Sequence, residues 1–241
     1  MQDPRLVEQI LTDYETLEPA EGDRWSPVGN FFELSYRLGL YYALAMALER
    51  CGRPVAELTV LDVGCGNGRS TRAYVDMGLA PGQVTGIDLR PGTIALARKL
   101  NPAITFLSYQ EAALPFPDGS FDWIGTTTVA SSIRGLEVRQ SLFDEIHAKL
   151  KPGGFLFYFD LYRANRFAGH DTMDPRRHLG RFDVLWHAPV RSYQFVPGRE
   201  RRRQLWRVLR TESRERVISE LKARASQVIR PSHEGLLARK R

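Results

Sequence analysis

Eight residues decide most of what this chain can fold into. In LDVGCGNG, Leu61 to Gly68, three glycines stand at every second position, directly after a β-branched run and directly before a helical stretch. Gly64, Gly66 and Gly68 let the backbone turn tightly and approach a ligand where a Cβ would collide. A strand that ends in such a turn and feeds a helix opens a parallel βαβ unit. A Walker loop does not fit, because Gly68 is followed by Arg69 and Ser70 and the glycine spacing is wrong. A dinucleotide fingerprint fits poorly, since its third glycine would fall on Arg69.

The texture on either side agrees. Thr59 to Val63, Gln83 to Asp88, Ala103 to Leu107, Phe121 to Thr127 and Gly154 to Asp160 are short β-branched or aromatic runs. Helical stretches at about 67–78, 91–100 and 135–150 separate them. Turn residues mark the boundaries at Pro91-Gly92, Pro117-Asp118-Gly119 and Pro152-Gly153-Gly154. Alternation of this kind predicts an α/β fold, a parallel sheet with helices on both faces. Three segments are expected: a helical cap over 1–55, with a second helix from about Asn30 to Cys51; a core over 56–198; and a basic extension over 199–241, in the same domain or a tail. Arg181 to Phe195 reads as one or two further strands, and the run from Glu200 to Val228 as a charged helix.

Composition excludes other classes. A content of 43% hydrophobic and 26% charged residues is that of a globular chain, not a disordered one. Cys51 and Cys65 are too few for a disulfide framework and lack metal-ligand spacing, which suits a reducing, cytoplasmic setting. The longest apolar run, Leu38 to Leu48, falls short of the roughly 18 residues of a membrane span. The first fifteen residues lack the apolar stretch of a signal peptide. The net charge of +6 is unevenly placed: residues 199–241 carry 14 Lys and Arg against 5 Asp and Glu, the others 20 against 23.

Two acids accompany the glycines. Asp62, two residues ahead of Gly64, would repel a pyrophosphate but hold an amino group. Asp88 ends the second strand, where a carboxylate can accept ribose hydroxyls.

Taken together, these residues resemble the class I S-adenosylmethionine-dependent methyltransferases. LDVGCGNG is similar to that family's first motif and GIDLRP (Gly86 to Pro91) to its second-strand motif. ALPFPDGSFD (Ala113 to Asp122) and LKPGG (Leu150 to Gly154) are similar to its approaches to the fourth and fifth strands. The four motifs run in order over about residues 57–160. The resemblance implies a Rossmann-like, mostly parallel seven-stranded sheet with an antiparallel last strand, and S-adenosylmethionine as cofactor over the carboxyl ends of the first strands. It further implies that Asp62, Gly64 and Gly66 line the methionine part, in a turn completed by Cys65 and Gly68. Asp88 would hold the ribose and Leu89 the adenine. The position that often carries an adenine-contacting Asp falls here on Gln110, with Glu111 following. Thr126 and Thr127 would stand beside the sulfonium.

The acceptor is less legible. Asp160, ending the fifth strand among Tyr158, Tyr162 and Arg163, is the candidate base or substrate-orienting acid. His170, His178 and His187 follow in the segment where an acceptor pocket is expected. His147 lies on a helix expected to face solvent. The fourth strand ends TTTVASSI and lacks the Asp/Asn-Pro-Pro-Tyr/Phe motif of many amino-directed nucleic-acid and protein methyltransferases. The expectation is therefore a small-molecule or glycan-type acceptor. The rivals are an RNA-modifying enzyme steered by the basic tail, and a cofactor-binding protein without turnover.

Overall fold

The computed structural model describes residues 31–109, 113–133, 135–161, 174–190 and 233–241. Seven strands form one sheet: β1 (Val60–Val63), β2 (Val84–Asp88), β3 (Thr105–Ser108), β4 (Phe121–Thr127), β5 (Leu150–Leu161), β6 (Phe182–Val190) and β7 (His233–Lys240). Their order is β3-β2-β1-β4-β5-β7-β6. The first five pair in parallel, and β7 runs antiparallel to both β5 and β6. The fold is thus the α/β sheet that the strand and helix alternation predicts, with the seven strands and antiparallel last strand of the Rossmann-like sheet that the family resemblance implies.

Among the described residues, four α-helices cover it: α1 (Phe31–Cys51), α2 (Arg69–Asp76), α3 (Pro91–Leu100) and α4 (Leu136–Lys149). Strand alternation divides the core between the two faces. On β5, Phe155, Phe157 and Phe159 join Trp123 and the α1 residues Tyr36, Leu40 and Leu44. Leu156 and Tyr158 point the other way, among Ile124 and the α4 residues Leu142, Phe143 and Ile146. β1 and β4 are buried at every position, as central strands of a sheet covered on both faces must be. His147 is buried at 7% exposure and meets Phe182 edge-on at 5.2 Å, so the expectation that it faces solvent is corrected. The return of β6 and β7 across that end of α4 covers it.

The basic C-terminal segment supplies a strand. β7 sits between β5 and β6, and its first six residues are buried. A run as short as HEGLLARK, covered on both faces, has no alternation by which to announce itself. Its charged end is tied to the body. Lys240 Nζ donates to the His147 and Leu150 carbonyls at 2.7 Å, where α4 ends and its carbonyls need donors. Arg241 Nε donates to Asp183 at 2.8 Å. From Arg181 to Phe195 the described part is the single strand β6. The charged run at 200–228 lies outside the described residues. Among the described residues, no helix is long and apolar enough to cross a membrane.

Candidate functional site

The glycine turn hangs between the carboxyl ends of β1 and β2. The Gly64 and Cys65 amides both donate to the Ile87 carbonyl, at 2.8 and 2.9 Å. All three glycines have positive φ, and each has its own reason to lack a side chain. A Cβ on Gly64 would lie 2.4 Å from Val129 Cγ2, and one on Gly68 2.7 Å from the Phe106 ring. Those two are bare because the protein packs against them. Gly66 is different: among the described residues, a Cβ there would meet nothing nearer than the Arg90 guanidinium at 3.7 Å. Its backbone lies open beside the turn, the arrangement a close-approaching ligand requires. Cys65 is buried, and burial pushes its thiol well up, so it packs rather than reacts.

Asp62 is fully buried on the α2 side of β1. Ser70 and Thr71, in the first turn of α2, donate to its Oδ2 at 2.7 Å each, while Oδ1 has no partner among the described residues. Burial raises its pKa to about 6, with Asp88 adding repulsion and the two hydroxyls opposing. Asp88, at the end of β2, accepts the Gly66 amide on Oδ2 at 2.9 Å, and the Arg90 amide and Nε on Oδ1 at 3.0 Å. Leu89 beside it is half-buried. Tyr109, whose hydroxyl is raised by burial and by the Asp88 charge, is a neighbour that sequence reasoning missed. Gln110 and Glu111 lie outside the described residues.

Thr126 and Thr127 close β4, both buried, and neither Oγ1 has a partner among the described residues. Adjacent strand residues face opposite sides, so Thr126 shares the α4 side with Ile124, and Thr127 the α1 side. Thr128 follows with a left-handed φ of 55°, and its amide donates to Phe159 at 2.8 Å. Helix α1 closes over this corner. Glu33, 1% exposed, pairs with Arg69 at the start of α2 and with Arg37 at 2.9 Å. The Arg69 guanidinium lies 4.6 Å over the Tyr36 ring, and Tyr36 hydrogen-bonds the Thr128 side chain. Glu33, Tyr36 and Arg69 carry no local motif, because only the folding of α1 onto α2 brings them together.

Asp160 is 1% exposed and accepts amides from Ser131 at 3.1 Å and Leu161 at 2.7 Å. His178 is buried, stacked on Phe143 at 5.2 Å, with Nδ1 2.9 Å from Gln140 Oε1. His187 pairs with Glu234 at 2.7 Å. His170 and most of the basic tail lie outside the described residues.

Residues 60–154 match the family model described as a methyltransferase domain. The chain is 34% identical over 118 residues to a demethylmenaquinone methyltransferase of Renibacterium salmoninarum, covering 49% of this chain and 44% of that protein. It is 29% identical over 133 residues to a phthiotriol/phenolphthiotriol dimycocerosates methyltransferase of Mycobacterium ulcerans, covering 54% and 46%. The chain thus spans about half the length of the curated relatives it matches. A solved S-adenosylmethionine-dependent methyltransferase from Mesorhizobium loti shares the fold, with a TM-score of 0.55 and 20% identity over 82% of this chain and 98% of that one.

Proposed function

We propose that the protein is a class I S-adenosylmethionine-dependent methyltransferase that transfers a methyl group to a small-molecule or glycan-type acceptor, a reading supported by the match of residues 60–154 to a methyltransferase-domain model. The observation that carries this is the backbone of Gly66 between two buried acids, one with an oxygen that has no partner among the described residues. Those acceptors suit a ligand with an ammonium at one end and a hydroxyl at the other. When bound, S-adenosylmethionine supplies a methyl group already activated by its sulfonium.

The remaining work is orientation and exclusion of water. Asp62 Oδ1 is the acceptor for the ammonium, kept in place by Ser70 and Thr71. Asp88 retains one lone pair, on Oδ2, beyond those taken by the Gly66 amide and by the Arg90 amide and Nε, and this would accept a ribose hydroxyl. Leu89 lies against the adenine. Thr126 and Thr127 close β4 with one side chain on each face of the sheet, and the strand end they form is where the acceptor would meet the sulfonium. Asp160 is assigned to orientation, because both its oxygens already hold backbone amides. The relatives' names, one for demethylmenaquinone and one for phthiotriol dimycocerosates, support a small-molecule acceptor over nucleic acid.

Calorimetric titration with S-adenosylhomocysteine, with NADH in parallel, tests the reading. Micromolar binding of the former alone is expected. Binding of NADH instead would return the glycine turn to the dehydrogenases.

A further inference from the structure

Tyr36, on α1, ties the turn that ends β4 to the glycine turn, and it does so on the face of the sheet that carries both acids. Val60 on β1 and Trp123 on β4 lie in the α1-side core with Tyr36, so alternation gives that face to Asp62 and Thr127 as well. Asp88 joins them, because Ile87 before it faces α4. Just past Thr127 the backbone is strained. Among the described residues, Thr128 is the one residue other than glycine with a positive φ, at 55°. A β-branched side chain disfavours that backbone, whereas a glycine would adopt it freely. Its neighbours hold it there. The Thr128 amide donates to the Phe159 carbonyl at 2.8 Å, and its own carbonyl accepts from Ser132 Oγ at 3.2 Å. Thr128 Oγ1 donates its proton to the Thr127 carbonyl at 2.7 Å, which leaves the same oxygen to accept a hydrogen bond from the Tyr36 phenol.

Tyr36 is fixed in its turn. Its ring meets Phe159 and His233 edge-on at 5.8 and 5.2 Å, and the Arg69 guanidinium covers it at 4.6 Å. Through these contacts it reaches both ends of the glycine turn. Arg69 opens α2 directly after Gly68. Val129, next to Thr128, holds its Cγ2 2.4 Å from where a Cβ of Gly64 would stand. We propose that Tyr36 is a positioning residue for methyl transfer: through Thr128 it sets the end of β4 against the glycine turn, and so fixes where the sulfur of the cofactor rests. The inference rests on the methyl-transfer reading and assigns part of its geometry to α1. A glycine at 128 would ease the backbone but leave the phenol nothing to bond, which accounts for a threonine in a conformation that suits glycine.

S-adenosylmethionine and S-adenosylhomocysteine differ only in the transferable methyl and the charge it places on sulfur. The ratio of their affinities therefore reads the surroundings of the sulfur, and a general loosening of the fold leaves it unchanged. Calorimetric titration of the full-length protein with each ligand gives that ratio for wild type, Tyr36→Phe, Thr128→Ala and Thr128→Ser. Tyr36→Phe and Thr128→Ala are each expected to weaken S-adenosylmethionine relative to S-adenosylhomocysteine about fivefold, the order of one lost hydrogen bond. Thr128→Ser keeps the hydroxyl and should keep the wild-type ratio. The NMR signal of a carbon-13-labelled methyl on bound S-adenosylmethionine should move in the first two variants and stay in the third. A ratio unchanged in either of the first two, including an equal loss of affinity for both ligands, would mark a merely structural role and overturn the proposal. A ratio that shifts as far in Thr128→Ser would overturn it too. If Tyr36→Phe does not fold, the two Thr128 variants decide by the same criterion. Wild-type protein that binds neither ligand is a different result, which removes the methyl-transfer reading and this proposal with it.

Discussion

The Gly66 amide donates a 2.9 Å hydrogen bond to Asp88 Oδ2, joining residues 22 positions apart. One contact thereby ties the middle of the glycine turn to the end of β2 and aims the carboxylate across the open backbone. Changes at Asp88 therefore act on the ligand and on the shape of the turn together. Asp88→Ala is expected to weaken S-adenosylhomocysteine binding by about 1.5–3 kcal/mol for each charge-assisted bond lost. Calorimetry on the variant measures this. An unchanged affinity would show that the cofactor lies elsewhere.

The two glycines nearest that contact should fail differently. Gly64→Ala forces a Cβ to within 2.4 Å of Val129 at a φ of +72°, so it should destabilise the fold by roughly 1–3 kcal/mol. Gly66→Ala meets no atom of the described residues closer than 3.7 Å and carries a left-handed backbone cost of about 1–2 kcal/mol. It should fold and lose cofactor binding. Urea unfolding and titration of the two variants side by side separate the roles.

Asp62 makes the site sensitive to acid. Burial first, with repulsion from Asp88, lifts its pKa to about 6 in the folded chain, against an ordinary value of 3.8. A raised carboxyl pKa favours the protonated folded state. Its contribution to stability is therefore fully present below the unfolded pKa and is lost as pH rises through about 6. Cofactor binding runs the opposite way, because an ammonium needs the ionised acid. S-adenosylhomocysteine affinity should fall as pH drops below about 6, and Asp62→Asn should flatten that dependence. Titrations from pH 5 to 8 decide it.

Helix α1 is held to the site by Glu33, which pairs with Arg69 and Arg37. Glu33→Gln keeps the shape and removes the charge, and is expected to cost about 1.5–3 kcal/mol through weakened bonds to the guanidinium groups. Arg69 would also lose its fixed place over Tyr36. Chemical denaturation gives the magnitude. An unchanged stability would mean that packing of Leu40 and Leu44 alone holds the helix.

Much of this was legible because the signals are local. The bounds expected for α3 and β4, 91–100 and 121–127, are the observed ones, since each is flanked by its own turn residues. Asp62, Gly64, Gly66, Gly68 and Asp88 could be named from sequence because a strand, a turn and a helix hold a regular spacing in space. The chain by itself determined the parallel half of the sheet, the glycine turn and the two acids that serve it. Tertiary structure alone decided the rest. It inserted His233–Lys240 between strands more than forty residues away and closed Glu33 and Tyr36 over Arg69. Those relationships join residues with no fixed separation along the chain. No periodicity or motif encodes them, and they exist only once burial has chosen which faces meet.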